Sequence, residues 1–147
     1  MNGRKRHLLV DTQGFLLRVG VHPASVQDRD GAKQVLRPDL RERYPRLAKI
    51  WADGSYGGQL VDWVYETLGC VLEIVPRPAD QHRFVVLPKR WIVERTFGWI
   101  GRYRRMSKDY EYTTSSSEAM VTLGMIRVLL KRLAKQTHRE KRQKAAA

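Results

Sequence analysis

Glu94 is the single acid in a basic segment that runs Arg90-Trp91-Ile92-Val93-Glu94-Arg95-Thr96-Phe97-Gly98-Trp99-Ile100-Gly101-Arg102-Tyr103-Arg104-Arg105. Taken as a helix, Arg90, Glu94, Gly98, Gly101 and Arg105 share one face, so a carboxylate stands among arginines beside two bare glycines. Each glycine costs ~1 kcal/mol against alanine inside a helix, and two within four residues suggest close approach by backbone or by a bulky anionic ligand. A plainer account is a surface helix with i,i+4 ion pairs. The opposite face, with Ile92, Val93, Phe97, Ile100 and Tyr103, is apolar enough to dock on a core.

Asp53 is the second candidate. It ends the strand-like run Lys49-Ile50-Trp51-Ala52-Asp53 and enters the turn Gly54-Ser55-Tyr56-Gly57-Gly58. Residues at such a strand end are presented to ligands rather than to the core. Asp53 can equally close an Asx-type turn or cap the helix that follows. Taken together, a strand-end Asp and a helical Glu in a chain as basic as this one (28 Lys/Arg against 15 Asp/Glu), which suits phosphates as partners, suggest carboxylates that hold Mg²⁺ for phosphodiester chemistry.

Several elements must position these two acids. His7 to Asp11 and Phe15 to Val21, separated by Thr12-Gln13-Gly14, have the pattern of a β-hairpin. Lys33 to Leu36 reads as a short helix stopped by Pro38, and Leu40 to Leu47 is ambiguous between helix and loop. Beyond Asp53, the residues Leu60, Val61, Val64, Tyr65 and Leu68 recur at helical spacing up to Gly69, and Val71 to Val75 forms a further strand. Strand, helix, strand predicts a βαβ unit with parallel pairing, hence an α/β sheet covered by helices. Asp80 to Leu87 reads as a basic connection or short strand. A last helix opens at Ser115 with Glu118 as a capping box and a buried stripe of Ala119, Leu123, Ile126, Leu130 and Leu133. From Lys135 to Ala147 the tail is polar and basic and is expected to be disordered, which leaves residues 1–134 as one domain.

The partner follows from charge. The 147 residues carry a formal net charge of +13, and ten of those charges lie beyond residue 88 (15 Lys/Arg against 5 Asp/Glu), the half that holds Glu94. So lopsided a surface points to a polyanion, by default nucleic acid. Arg90, Arg95, Arg102, Arg104, Arg105 and Lys108 are the candidate phosphate contacts, with Trp91, Trp99, Tyr103, Tyr110 and Tyr112 able either to pack or to stack on frayed bases. Cys70 is the only cysteine, so no disulfide or Cys-based zinc site can form, and a reducing cytoplasm fits, with association to the nucleoid. No apolar run approaches the ~20 residues of a membrane span.

Four separated segments resemble the bacterial insertion-sequence DDE transposases: Gly3-Arg4-Lys5-Arg6-His7-Leu8-Leu9-Val10-Asp11-Thr12, Val21-His22-Pro23-Ala24-Ser25-Val26-Gln27-Asp28, Ala52-Asp53-Gly54-Ser55-Tyr56 and Arg90-Trp91-Ile92-Val93-Glu94-Arg95-Thr96-Phe97. The resemblance implies a ribonuclease-H-like α/β fold, a mixed sheet flanked by helices, in which two Asp and one Glu bind two Mg²⁺ (or Mn²⁺) ions. It makes Asp53 the second acid and Glu94 the third. Arg90 fits the family's arginine before the Glu, while Leu87 and Gly101 stand where relatives often have Tyr and Lys, leaving Arg102 or Arg104 to reach the same phosphates. Family members carry their first Asp on a strand ahead of the Gly-Arg-Lys-Arg-His segment, where this sequence starts. The resemblance therefore implies the C-terminal part of a catalytic domain lacking its first strand, either a remnant or a second reading frame. Asp11 aligns with a hairpin Asp rather than with that first acid, and Asp28 braces a loop or approaches DNA. The implied partners are transposon-end and target DNA, an upstream-frame product or full-length transposase, and further copies of the complete enzyme. The competing implication is an inactive DNA-binding remnant that inhibits the full enzyme.

Overall fold

A computed structural model describes residues 3–76 and 89–145, and the expected connection from Asp80 to Leu87 lies outside them. Strands β1 (Arg4–Val10) and β2 (Leu16–Pro23) form the expected hairpin, antiparallel, with Leu8 opposite Val19 and a register shift between Leu9 and Val10. Asp11 closes the turn, its Oδ1 accepting from the N–H of Gln13 at 2.8 Å and of Phe15 at 2.9 Å. Alternation along β1 sends Leu9 to one core and Leu8 to another, so the ribbon is covered on both faces.

Helix α1 (Asp28–Val35) and the short α2 (Asp39–Arg43) follow. The first begins well ahead of the expected Lys33, because Asp28 and Asp30 sit in its first turn, where the helix dipole favours acids. Its buried residues, Gly31, Ala32 and Val35, lie against β1 and β2. Gly31 is where His7 and His22 fit: their rings stack at 4.6 Å, and a Cβ on Gly31 would stand 2.0 Å from His22 Nε2 and 2.6 Å from His7 Nε2. Gly31→Ala is expected to destabilise the fold by about 1–3 kcal/mol despite its better helix propensity, seen as a lower urea midpoint at unchanged slope.

The βαβ unit is as the spacing predicts. Strand β3 (Lys49–Asp53) runs through a turn of 3₁₀ helix (Gly54–Tyr56) into α3 (Gln59–Leu68) and returns as β4 (Val71–Val75), paired parallel with Asp53 opposite Val75. Gly69 ends α3 in the left-handed conformation at φ 60°, its N–H donating to the Tyr65 carbonyl. Leu60, Val64 and Leu68 are buried at i, i+4, i+8 and pack with Leu9, Val35, Leu40 and Leu72, each worth about 1.5–3 kcal/mol of burial. Tyr65, expected on this stripe, is exposed, whereas Val61 and Trp63 are partly buried against the same core.

Helix α4 (Arg90–Gly101), a second 3₁₀ turn (Arg104–Met106) and α5 (Thr114–Ala145) complete the chain. Ile100, Met106, Val121 and Met125 make the second core on the other face of the hairpin, with Leu8, Phe15 and Val19 packed on it. Two expectations for α5 are corrected. Thr113 Oγ1 accepts from the Ser116 N–H, so Thr113 and not Ser115 caps the helix, and Glu118 instead accepts from the Val21 N–H at 2.8 Å. The buried stripe is Ser117, Val121 and Met125, while Leu123, Ile126, Leu130 and Leu133 are 45% to 60% exposed. Polar anchors set this phase: Glu118 on β2, and Ser117 donating to Asp109 at 2.9 Å, rotate the leucines outward. The helix also continues past Lys135 to Ala145, where the composition suggested a disordered tail; every side chain from Leu130 to Gln143 is exposed.

The architecture is mixed α/β, with the strands in two separate two-stranded ribbons, β1 with β2 and β3 with β4. Among the described residues no helix is long and apolar enough to cross a membrane.

Candidate functional site

Asp53 is held in place by its own turn. Its Oδ1 accepts from the Ser55 N–H at 2.9 Å and from the Ser55 hydroxyl, so it caps the 3₁₀ turn as an Asx residue does. Its Oδ2 has no hydrogen-bond partner among the described residues. Glu94 lies mid-way along α4, exposed, with Oε1 3.6 Å from the Arg90 guanidinium one turn earlier. Structural contacts thus occupy one oxygen of each acid, and the second has no partner among the described residues.

The two carboxylates border the same cleft. Both line a cleft of about 990 Å³ whose walls are β1, β3 and the start of α4. Asp11 lies on the same cleft, although its Oδ1 is committed to the hairpin turn. Hard oxygen donors of this kind suit Mg²⁺ or Mn²⁺. Among the described residues, however, no three Asp, Glu, His or Cys side chains converge as a metal-holding group.

Helix α4 is fixed over the cleft by contacts that no motif announces. Lys89, at φ 72° the only described non-glycine residue with positive φ, lays its ammonium 3.7 Å from the Trp51 ring centroid and so pins the helix start to β3. Thr96 is fully buried and donates to the Gly14 carbonyl at 2.7 Å, bringing α4 onto the hairpin turn, where Gly14 has φ 84°. A Cβ at Gly14 would meet Thr96 Oγ1 at 2.8 Å.

The six cations expected at phosphates divide into two groups. Arg95 lies between the rings of Trp91 and Trp99, at 4.3 and 4.7 Å, and donates to the Gln13 carbonyl at 2.7 Å, so it clamps α4 to the hairpin. Arg90 pairs with Glu94, and Arg105, which lies beyond the end of α4, pairs with Glu111 at 3.0 Å. Arg102, Arg104 and Lys108 are exposed and make no ion pair among the described residues. Among the described residues nothing lies within 4 Å of a would-be Cβ at Gly98 or Gly101, so no described backbone presses on the helix face beside Glu94. Leu87, the residue at the family's Tyr position, lies outside the described residues. Asp28 pairs with Lys5 at 3.0 Å and braces the loop before α1.

Beneath Asp53, the Tyr56 hydroxyl hydrogen-bonds His7 Nδ1 at 2.6 Å. Burial, followed by Asp28 and Asp53, holds the Tyr56 phenol well above its usual range, so it stays protonated. Burial first and then the His22 ring push the His7 pKa down; Asp28 opposes them more weakly, and Lys5 adds a small further lowering. The folded value lies below the unfolded ~6.5, so the unfolded chain binds more protons in that window. His7's contribution to stability is therefore complete above about pH 6.5 and is lost as pH falls through its folded pKa. Urea unfolding is expected to show a lower midpoint near pH 5 than near pH 7.5, with part of that difference absent in His7→Gln.

The family model described as Transposase DDE domain matches residues 1–129 of the chain. No curated protein and no solved structure gives a significant match. Domains of this family generally use divalent metal ions, and their biology is DNA transposition. With its matched stretch embracing both cleft carboxylates, the chain belongs to the DDE transposase family.

Proposed function

We propose that this chain is the C-terminal part of an insertion-sequence transposase catalytic domain, of ribonuclease-H-like fold, which binds transposon-end DNA. Asp53 and Glu94 are its metal-binding acids. The observation that carries this reading is that the two acids, 41 positions apart in sequence, line one cleft, each with an oxygen to spare. A bound Mg²⁺ or Mn²⁺ ion supplies Lewis-acid stabilisation of charge at the phosphate being cut or joined. Ser55 fixes the orientation of Asp53, and Arg90 draws Glu94 along α4. Arg102, Arg104 and Lys108 hold the DNA backbone on the open side, and Tyr110 and Tyr112, the latter 96% exposed, are placed to stack on unpaired bases. In the complete enzyme several copies assemble on the two element ends.

A second reading has a specific observation behind it. Among the described residues no three Asp, Glu, His or Cys side chains come together as a group that could hold a metal ion. On its own the chain then acts as a DNA-binding protein without strand cleavage, able to occupy element ends against the full enzyme. One assay separates the readings: cleavage of labelled element-end duplex with Mn²⁺, by the chain alone and by the chain completed with an acid-bearing upstream segment. Cutting by the completed protein only, abolished by a chelator, supports the proposal. Failure of the completed protein to cut supports the second reading.

A further inference from the structure

His7 and His22 are buried at a cost. Their side chains are almost fully enclosed, and neither Nε2 has a hydrogen-bond partner among the described residues, which is unfavourable for any buried polar atom. An apolar side chain in either place would leave nothing unpaired. What the His7 imidazole supplies instead is Nδ1, 2.6 Å from the Tyr56 hydroxyl. That phenol stays protonated and has no other acceptor among the described residues, so its O–H donates to Nδ1. His22 backs the arrangement. Its Nδ1 donates to the Pro23 carbonyl at 2.9 Å, and its ring stacks on that of His7 with 22° between the planes. Tyr56 meets the His7 ring edge-on from the other side of the bond.

The bond occupies a particular place in the molecule. β1 is hydrogen-bonded only to β2 and β3 only to β4. Among the described residues, His7 to Tyr56 is the one hydrogen bond between the hairpin and the stretch from β3 to β4. Tyr56 is the last residue of the 3₁₀ turn that Asp53 caps, so Asp53 holds one end of this turn and His7 the other. Glu94 is referred to the same hairpin, because Thr96 on the Gly14 carbonyl and Arg95 on the Gln13 carbonyl fix α4 there. Lys89 over Trp51 also links α4 to β3, through a ring face rather than a directed bond. Apolar packing between the layers is non-directional and sets their spacing less closely than a short hydrogen bond does.

We propose that His7 is a positioning residue for Asp53, acting through Tyr56: its Nδ1 sets where the 3₁₀ turn seats on the hairpin, and so where the Asp53 carboxylate stands relative to Glu94. That the carboxylate so placed serves a cation rests on the metal-site reading given above; the seating of the turn does not.

The test carries two substitutions in the 147-residue protein. Tyr56→Phe removes the hydroxyl and keeps the ring, whereas His7→Asn keeps an acceptor oxygen near the place of Nδ1 and removes the rest of the imidazole. NMR relaxation without metal is expected to show Gly54 to Gly57 loosened in Tyr56→Phe, with backbone order parameters falling from about 0.85 to below ~0.6 while β3 and α3 stay rigid. Mn²⁺ affinity at Asp53, read from paramagnetic broadening, is expected to fall about 10- to 100-fold in the same variant. His7→Asn is expected to keep the turn ordered and the Mn²⁺ affinity near native, although loss of the stacked ring lowers its urea midpoint. A role in packing alone would not separate placement from stability in this way. An ordered turn in Tyr56→Phe overturns the proposal. So does a His7→Asn protein whose turn loosens as much as that of Tyr56→Phe, which assigns the hold to the ring. Native Mn²⁺ binding that Tyr56→Phe leaves unchanged also overturns it and keeps the metal site. A turn that loosens in Tyr56→Phe, in a protein that binds no Mn²⁺ at Asp53 even without substitution, keeps the positioning and removes the metal site.

Discussion

Glu94→Gln and Asp53→Asn are each expected to lower DNA strand cleavage by the completed protein about 1,000-fold. A catalytic cation is worth several kcal/mol of transition-state stabilisation, and ~4 kcal/mol corresponds to that factor. Neither carboxylate supports the fold enough to confuse the result. Glu94 is exposed and makes one long i,i+4 ion pair, and Asp53 caps a single 3₁₀ turn, a role that asparagine keeps. DNA affinity should stay the same or rise slightly, because each substitution removes a negative charge from the surface proposed to meet phosphates. Cleavage assays beside equilibrium DNA binding check both halves of the expectation. Loss of cleavage together with loss of binding places these acids in the fold rather than in the chemistry.

The second large effect concerns the basic side. Combined replacement of Arg102, Arg104 and Lys108 by alanine is expected to weaken duplex binding roughly 100- to 1,000-fold at ~0.1 M salt and to flatten the log–log salt dependence by about 2 to 3 units, close to 0.9 per lost phosphate contact. Arg95→Ala should behave differently. Its guanidinium is held by two tryptophans and a hairpin carbonyl, so the loss appears as destabilisation, with the salt slope changed little. Titrations of labelled duplex at several salt concentrations, paired with urea unfolding, separate the two behaviours. An unchanged slope in the triple variant contradicts the assignment.

The contrast between Arg95 and Arg104 marks where sequence reading reaches its limit. Charge and spacing placed both in a basic segment, but only tertiary contacts decide which one is spent on packing. Local patterns served well where the determinant was local: the apolar runs around Thr12-Gln13-Gly14 gave a hairpin, and Ile50 through Val75 gave a parallel βαβ unit with Asp53 at the strand end. The phase of α5 was illegible, since its leucine pattern predicts one buried face while Glu118 on the Val21 N–H and Ser117 on Asp109 fix another. Asp109 shows how remote these anchors are. Burial alone would raise its pKa, yet the Glu111 N–H, the Ser117 hydroxyl, Arg6 and Arg4 together hold it below the usual carboxylate range, tying β1 to the connection before α5. Nor does any motif foretell Lys89 over Trp51 or Thr96 on Gly14, contacts that bring Glu94 to the cleft that Asp53 also lines.

Sharing of one cation by Asp53 and Glu94 is most directly tested by Mn²⁺ titration of the isotope-labelled chain, with paramagnetic broadening read residue by residue. Broadening is predicted to begin at the same Mn²⁺ concentration around Asp53 to Ser55 and around Val93 to Arg95, and to vanish from both places in either Asp53→Asn or Glu94→Gln. Broadening that follows only one of the two acids, or that survives in one place when the other acid is neutralised, contradicts the shared site.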